Sequence, residues 1–181
     1  MRIIAGEKRG AKLFPPEDNS VRPTSDRVKE SLFGIIQFDI SEADVLDICS
    51  GTGNLGLEAI SRGAKSAVFI DNNEKSIMLL KKNIEKLKFD NRCEIIYDDA
   101  LAALKKLSLA KRRFKYILFD PPYSDTALYK NVTEFVLQSD LLKENGTMFV
   151  EHNDKYIIAD SIKNRMYDRR KYGSTYISFY R

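Results

Sequence analysis

From residue 43 onward, short and nearly unbroken apolar runs alternate with longer stretches whose apolar residues recur at helical spacing. The runs are Val45-Leu46-Asp47-Ile48, Ala67-Val68-Phe69-Ile70-Asp71, Cys93-Glu94-Ile95-Ile96-Tyr97, Tyr116-Ile117-Leu118-Phe119-Asp120 and Thr147-Met148-Phe149-Val150-Glu151. A strand with one wet face alternates apolar and polar residues, so runs this continuous belong to strands covered on both faces. Between them lie helical stretches at Leu57 to Arg62, Glu74 to Leu87 (Ile77, Leu80, Ile84 and Leu87 on one stripe), Ala100 to Leu109 and Tyr129 to Leu137. A helix between two strands carries the chain back to its starting edge, which makes the strands parallel. The spacing predicts an α/β fold built on a doubly wound, mostly parallel sheet. Thr175-Tyr176-Ile177-Ser178-Phe179-Tyr180 alternates instead and is expected to pair antiparallel beside the last parallel strands.

Before this pattern, Arg2-Ile3-Ile4-Ala5 and Ala11-Lys12-Leu13-Phe14 flank a turn bounded by Gly6 and Gly10, which reads as a short β-hairpin. The break Phe14-Pro15-Pro16-Glu17-Asp18-Asn19 separates it from the rest, so residues 1–20 are expected to form an N-terminal hairpin arm and residues 21–181 the main domain. After Thr24-Ser25-Asp26, Val28, Leu32, Ile35 and Ile36 mark a helix with one core-facing side. At 181 residues and 43% apolar the chain supports one core, and no apolar run approaches the roughly 18 residues of a membrane span. Residues 1–15 intersperse Arg2, Lys8, Arg9 and Lys12 among apolar pairs, unlike a secretory leader, so a cytoplasmic location is expected. Cys49, Cys93 and the single His152 are too few soft ligands for zinc; no metal is expected, and the thiols are read as buried and unbridged. A Ser-His-Asp or Cys-His mechanism would rest on His152 alone, which is read as structural.

In a doubly wound sheet, ligands bind beyond the carboxyl ends of the strands where strand order reverses. The unusual residues of this chain sit there. Asp47 runs into Gly51-Thr52-Gly53-Asn54-Leu55-Gly56, Asp71 ends the second strand, Asp98-Asp99 follows the third, and Asp120-Pro121-Pro122-Tyr123 follows the fourth. The glycine spacing allows a tight turn and close backbone approach to a ligand at a helix N-terminus. Asp71 can accept both hydroxyls of a ribose. Asp47 would repel a pyrophosphate but can pair with an ammonium group, which favours S-adenosylmethionine over a dinucleotide. The helix N-terminus behind Gly53 and Gly56 would receive the methionine carboxylate, and Asp99, rather than Asp98, would accept from the adenine amine.

Asp120-Pro121-Pro122-Tyr123 is the most specific feature. Two prolines remove two N–H donors and hold the backbone extended, leaving carbonyl oxygens expected to have no local partner. An exocyclic base amine is a poor nucleophile because its lone pair is delocalised into the ring. Hydrogen bonds from its two N–H groups to the Asp120 carboxylate and the Pro121 carbonyl would direct that lone pair at a sulfonium methyl. Tyr123 offers a face on which the base can stack.

Charge is unevenly placed. Residues 34–104 hold 8 Lys/Arg against 12 Asp/Glu, while Lys105, Lys106, Lys111, Arg112, Arg113 and Lys115 form a basic run without an acid. Residues 152–181 hold seven basic residues against three acids. A phosphate-backbone partner would favour such basic segments, and ordinary solvated surfaces would carry them equally well.

With these motifs in place, the chain resembles class I S-adenosylmethionine-dependent methyltransferases, and among them the RsmD family of bacterial ribosomal RNA guanine-N2 methyltransferases. The likeness is carried by Arg2-Ile3-Ile4-Ala5-Gly6 with Arg9-Gly10 and Leu13, by Arg22-Pro23-Thr24-Ser25-Asp26-Arg27-Val28, by Asp47 to Ala59, by Asp120-Pro121-Pro122-Tyr123, and by Tyr172-Gly173 and Phe179-Tyr180. The resemblance implies a Rossmann-like sheet of seven strands and transfer of one methyl group to the N2 amine of a guanine in small-subunit (16S) ribosomal RNA, within the assembling subunit. It implies that Asp120, Pro121, Pro122 and Tyr123 hold the target base, and that Asp47, Gly51, Gly53, Asn54, Gly56, Asp71, Asn72, Asp99 and Ala100 hold the cofactor. Arg9, Arg22 and Arg27 become candidates for RNA contact or site formation, with ion pairs to Asp26 or Glu30 the alternative for the latter two. An adenine-N6 methyltransferase acting on DNA or RNA, and a non-catalytic RNA-binding assembly factor, are the competing readings.

Overall fold

The computed structural model describes residues 1–16, 26–156 and 158–181. The expected loop at 17–19, the helix-start residues Thr24 and Ser25, Arg22 and the expected boundary at 20 and 21 lie outside the described residues. The helices are α1 (Asp26–Ile36), α2 (Asn54–Ser61), α3 (Glu74–Leu87), α4 (Ala100–Leu109) and α5 (Thr126–Gln138). The strands are β1 (Asp44–Ile48), β2 (Ser66–Asp71), β3 (Cys93–Tyr97), β4 (Phe114–Phe119), β5 (Leu142–His152), β6 (Met166–Tyr172) and β7 (Thr175–Tyr180). Among the described residues these form one sheet in the order β3-β2-β1-β4-β5-β7-β6. The first five strands are parallel, and β7 lies antiparallel to both β5 and β6.

The apolar runs are continuous because successive residues serve different cores. Val45, Ala67, Phe69, Tyr116 and Leu118 pack with α1, α2 and α3 on one face. Leu46, Ile48, Val68, Ile70, Ile117 and Phe119 pack with α4 and α5 on the other. Each fully buried aliphatic or Phe side chain contributes about 1.5–3 kcal/mol relative to leaving it in water. Helix starts are set by local chemistry: Asn73 caps α3 by accepting from the Ser76 N–H, Asp99 caps α4 through Ala102, and Asp125 caps α5 through Leu128. Such caps contribute about 1 kcal/mol each.

The strand β6 is not among the runs read from the sequence. Met166-Tyr167-Asp168-Arg169-Arg170-Lys171-Tyr172 has neither a continuous apolar run nor clean alternation, and as the sheet's edge it is mostly exposed. Near the N-terminus the described pairing is a single antiparallel bridge between Arg2 and Lys12. This segment packs on the body: Ile3 and Leu13 are buried in the first core, and the Ile4 and Ala5 N–H groups donate to the Glu58 carboxylate of α2.

Candidate active site

Strand order reverses between β1 and β4, where the chain, having built outward through β2 and β3, crosses to the other side. The two strands are in register, Asp47 beside Leu118 and Ile48 beside Phe119. Adjacent strands lie about 4.8 Å apart, so the glycine loop and Asp120-Pro121-Pro122-Tyr123 leave neighbouring strands at one level. The crevice at this switch point is bordered by Asp71 from β2 on one side and by Glu151 from β5 on the other.

The loop after β1 starts with Cys49 in the left-handed region at φ 60°, a conformation that costs an L-residue about 1–2 kcal/mol. Gly53 follows at φ 80°, and a Cβ there would meet Leu80 Cδ1 at 2.4 Å. Gly56 is required by close approach: its Cβ would lie 2.3 Å from the Phe69 ring and 3.0 Å from Asp47 Oδ2. A Cβ on Gly51 would meet nothing within 4 Å, so the crest of the loop faces open space. α2 starts at Gly53 without a side-chain cap, unlike α3, α4 and α5. Asp47 holds the Gly56 N–H of its first turn, so an anion at the mouth of the crevice would meet the positive end through the Asn54 and Leu55 N–H groups.

Both carboxylates beside the loop also hold it. Asp47 is buried, and its Oδ2 accepts the Gly56 N–H at 2.8 Å. Burial pushes its carboxyl up to about 8, the Gly56 bond opposes this, and Asp120 and Asp71 nearby add to it. A cation placed beside Asp47 would relieve that cost. Asp71 Oδ2 accepts the Gly51 N–H at 2.7 Å and Oδ1 the Asn73 N–H at 2.9 Å; each oxygen retains a second lone pair for a hydroxyl. Asn72 is exposed beside it. Asp99 is exposed with Oδ1 engaged as the α4 cap, Ala100 is buried behind it, and Asp98 pairs with Lys106 at 2.7 Å. Asn54 departs from the open part of the site. Its side chain is buried and its Oδ1 accepts from Lys29 Nζ at 2.9 Å, so it braces the loop from below.

At the end of β4, the expectation of unpartnered proline carbonyls is corrected. The Pro121 carbonyl accepts from the Tyr129 hydroxyl at 3.2 Å, and the Pro122 carbonyl accepts the Asp125 N–H at 3.1 Å. The Tyr129 hydroxyl also donates to the Glu151 carbonyl at 2.9 Å, so its one proton is shared between the two carbonyls. The α5 start folds back over the motif and supplies these donors. The Pro121 oxygen retains one lone pair, whose direction is set by the first. Tyr123 is half-exposed, and its hydroxyl donates to Glu151 Oε1 at 3.1 Å, with the Thr175 hydroxyl 3.3 Å away. Burial and Glu151 push the Tyr123 hydroxyl well up from its ordinary value, so it stays protonated. Tyr129, Glu151 and Thr175 were not singled out in the sequence. The position of Glu151 at a strand's carboxyl end was the one signal that could have drawn notice.

The other candidates divide. Arg27 is exposed on the first turn of α1, while Asp26 pairs instead with Arg2. Arg9 does not join the site. Its turn is anchored by bonds from Glu7 and Lys8 to Ser61, the last residue of α2, about 12 Å down the helix axis from the glycine loop. His152 is fully buried, its ring nitrogens on the Asn153 carbonyl and Ser178 Oγ, with burial first among the causes that push it down to about 4. Cys49 and Cys93 are free and half-buried rather than fully buried. Among the described residues, no cluster of His, Cys, Asp and Glu could hold a metal ion, and no helix is long and apolar enough to cross a membrane.

A family model described as conserved hypothetical protein 95 matches residues 1–181. The chain is 36% identical over 161 residues to the ribosomal RNA small subunit methyltransferase D of Haemophilus influenzae, covering 88% of this chain and 82% of that one. Among solved structures it resembles the yhhF protein of Escherichia coli with TM-score 0.84 at 26% identity, over 99% of this chain and 96% of that one. It shares its fold with an RNA methyltransferase of Salinibacter ruber solved with S-adenosyl-L-homocysteine, TM-score 0.67 at 13% identity, over 88% and 92% of the two chains.

Proposed function

Because the chain belongs to the conserved hypothetical protein 95 family, that of the RsmD-type ribosomal RNA small subunit methyltransferases, we propose that it transfers a methyl group from S-adenosylmethionine to the N2 amine of a guanine in small-subunit ribosomal RNA, in the cytoplasm and within the assembling subunit. The observation that carries this reading is the in-register exit of the glycine loop and of Asp120-Pro121-Pro122-Tyr123 from adjacent strands.

The residues present suit the cofactor. Gly51 faces open space, the uncapped N-terminus of α2 suits a carboxylate, Asp47 gains from a neighbouring ammonium group, and Asp71 has lone pairs to spare for ribose hydroxyls. Gly53 and Gly56 keep that backbone close, while Asn72, Asp99 and Ala100 border the adenine end. When bound, the cofactor supplies a sulfonium methyl that is activated already. The protein's work is then positioning and charge.

Asp120 accepts one amine N–H of the guanine and the free lone pair of the Pro121 carbonyl accepts the other, which turns the nitrogen lone pair out of the ring. Pro122 keeps the turn rigid, and Tyr123 stacks on the base. As the nitrogen becomes cationic, Asp120 stabilises it and takes or relays the proton, a contribution of about 10²–10⁴ in rate for a positioned base. The target guanine must be unstacked or flipped out to reach Tyr123. Arg27, exposed on the first turn of α1, is the described arginine left as a candidate RNA contact.

The test is methyl transfer to unmodified small subunits, to naked small-subunit RNA and to DNA, with the modified nucleoside identified. N2-methylguanosine in ribosomal RNA is expected. Methylation of adenine alone, or of DNA alone, overturns the reading, and RNA binding without cofactor affinity identifies a binding module instead.

A further inference from the structure

Of the two basic segments seen in the sequence, the structure separates one from the site and brings the other beside it. The run 105–115 occupies the end of α4 and the entry to β4, where Arg112 pairs with Glu94 near the amino end of β3 at 3.0 Å. Residues 111–115 are thus at the end of the sheet opposite the crevice, while Lys106, higher on α4, is held by Asp98 at 2.7 Å. Arg169, Arg170 and Lys171 of the C-terminal run lie on the edge strand β6, whose turn into β7 returns to the crevice end: Thr175 begins β7 3.3 Å from the Tyr123 hydroxyl.

Across this end, Lys171 pairs with Tyr176 and Tyr176 with His152 in register. Arg169 Cζ lies 4.5 Å and Lys171 Nζ 5.4 Å from the Tyr176 ring centroid, and that ring stacks on His152 at an interplanar angle of 6°. His152 contacts Tyr156, Tyr156 contacts Tyr129, and Tyr129 donates to Pro121. A continuous row of packed rings thus runs from the target-base motif to two exposed cations. Charge of either sign would guard an edge strand against pairing with another sheet. Edge guarding does not call for one dominant sign, yet Arg169, Arg170 and Lys171 face a single acid, Asp168, which pairs with Arg170 at 2.8 Å. Arg169 and Lys171 remain over the Tyr176 ring, held by cation–π contacts that leave their outer N–H groups to a ligand.

We propose that the β6 edge, through Arg169 and Lys171 held over Tyr176, is the docking surface for the RNA sugar–phosphate backbone flanking the target base. The inference rests on the methyltransferase reading and adds the surface that grips the substrate. Strand-borne cations on a packed platform are ordered before RNA arrives, so little side-chain entropy is lost on contact.

The experiment compares the wild type with Arg169→Gln/Lys171→Gln and with Lys111→Gln/Arg113→Gln at the far end of the sheet. It measures binding to unmodified small-subunit ribosomal RNA over a range of salt, together with steady-state methylation. The β6 double variant is expected to bind on the order of tenfold more weakly, with the slope of log affinity against log salt reduced by about 2, and to raise KM for RNA more than it lowers kcat. The far-end variant should match the wild type. If the far-end variant loses affinity and the β6 variant does not, or if both behave as wild type while the wild type methylates RNA, the β6 assignment is overturned and the methyltransferase reading stands. A wild type that binds cofactor and RNA but transfers no methyl group overturns the reading, and this inference with it.

Discussion

Tyr123 and Glu151 lie 28 residues apart, yet the Tyr123 hydroxyl donates to Glu151 Oε1 at 3.1 Å, tying the aromatic face that follows β4 to the end of β5. The hydroxyl end of a ring that is otherwise half-exposed on a turn is thereby restrained against β5 and β7.

This division between face and hydroxyl predicts an order of defects. Tyr123→Phe keeps the stacking face and loses one hydrogen bond of about 0.5–1.5 kcal/mol, so kcat/KM should fall less than about tenfold. Tyr123→Ala removes a stacking partner of about 1–3 kcal/mol and should fall further, by up to about 100-fold. Steady-state methylation of small-subunit RNA measures both, and equal losses would assign the role to the hydroxyl.

Asp120 follows β4 and Asp71 ends β2, with β1 between those strands, and in the proposed reading Asp120 meets the amine while Asp71 meets the ribose. Asp120→Ala should lower kcat by about 10²–10⁴ while leaving S-adenosylmethionine affinity, read by calorimetry, within about twofold of wild type. A large loss of cofactor affinity would place Asp120 in the cofactor site.

Glu58 is the buried hub joining the N-terminal segment to α2. It accepts from the Ile4 and Ala5 N–H groups and from Arg62 Nε at 2.7 Å, and pairs with Lys29 Nζ at 3.4 Å. Burial pulls the Lys29 ammonium down from its usual value and Glu58 opposes that. Removing Glu58 leaves a buried ammonium and two buried N–H groups, so Glu58→Ala should cost about 3–5 kcal/mol in urea unfolding. Lys29→Met leaves Glu58 with Arg62 and both N–H donors but removes the donor to Asn54 Oδ1 and the Arg2 carbonyl, both neutral acceptors, and should cost less. Equal costs would show that Lys29, through Glu58, Asn54 and the Arg2 carbonyl together, matters as much as the Glu58 carboxylate.

His152 is buried between Tyr156 and Tyr176, and burial, aided by Arg169, pushes it down to about 4. Its folded pKa lies below the unfolded value, so protons bind preferentially to the unfolded chain. The stability it contributes is complete above about 6.5 and is lost as pH falls from there toward about 4. Melting temperatures across this window should decline more steeply for the wild type than for His152→Gln. Parallel curves would mean that the ring is protonated without penalty.

Much of the architecture was readable along the chain. The bounds Glu74–Leu87 for α3 and Ala100–Leu109 for α4 agree with the apolar periodicity, because an amphipathic stripe and a cap at Asn73 or Asp99 are local properties. Asp47, the glycine loop and Asp120-Pro121-Pro122-Tyr123 were also legible, since each is set by a few consecutive residues at a strand's end. β6 was not, because an exposed edge strand needs no apolar pattern and is held by its pairing with β7.

What the sequence by itself determined is the alternation of β1 to β5 with the helices between them, the bounds of α3 and α4, and the chemistry at the strand tips. β5 runs from Leu142 to His152 and α5 starts at Thr126, both longer than their apolar patterns. The tertiary structure alone decided which tips share a crevice and which charges face it: Tyr129 on the Pro121 carbonyl, Glu151 and Thr175 around Tyr123, β6 beside the site, and both Arg9 and residues 111–115 away from it. The physical reason is that a strand's residue pattern records burial on its faces, whereas its lateral neighbours are chosen by backbone hydrogen bonds that every residue offers alike.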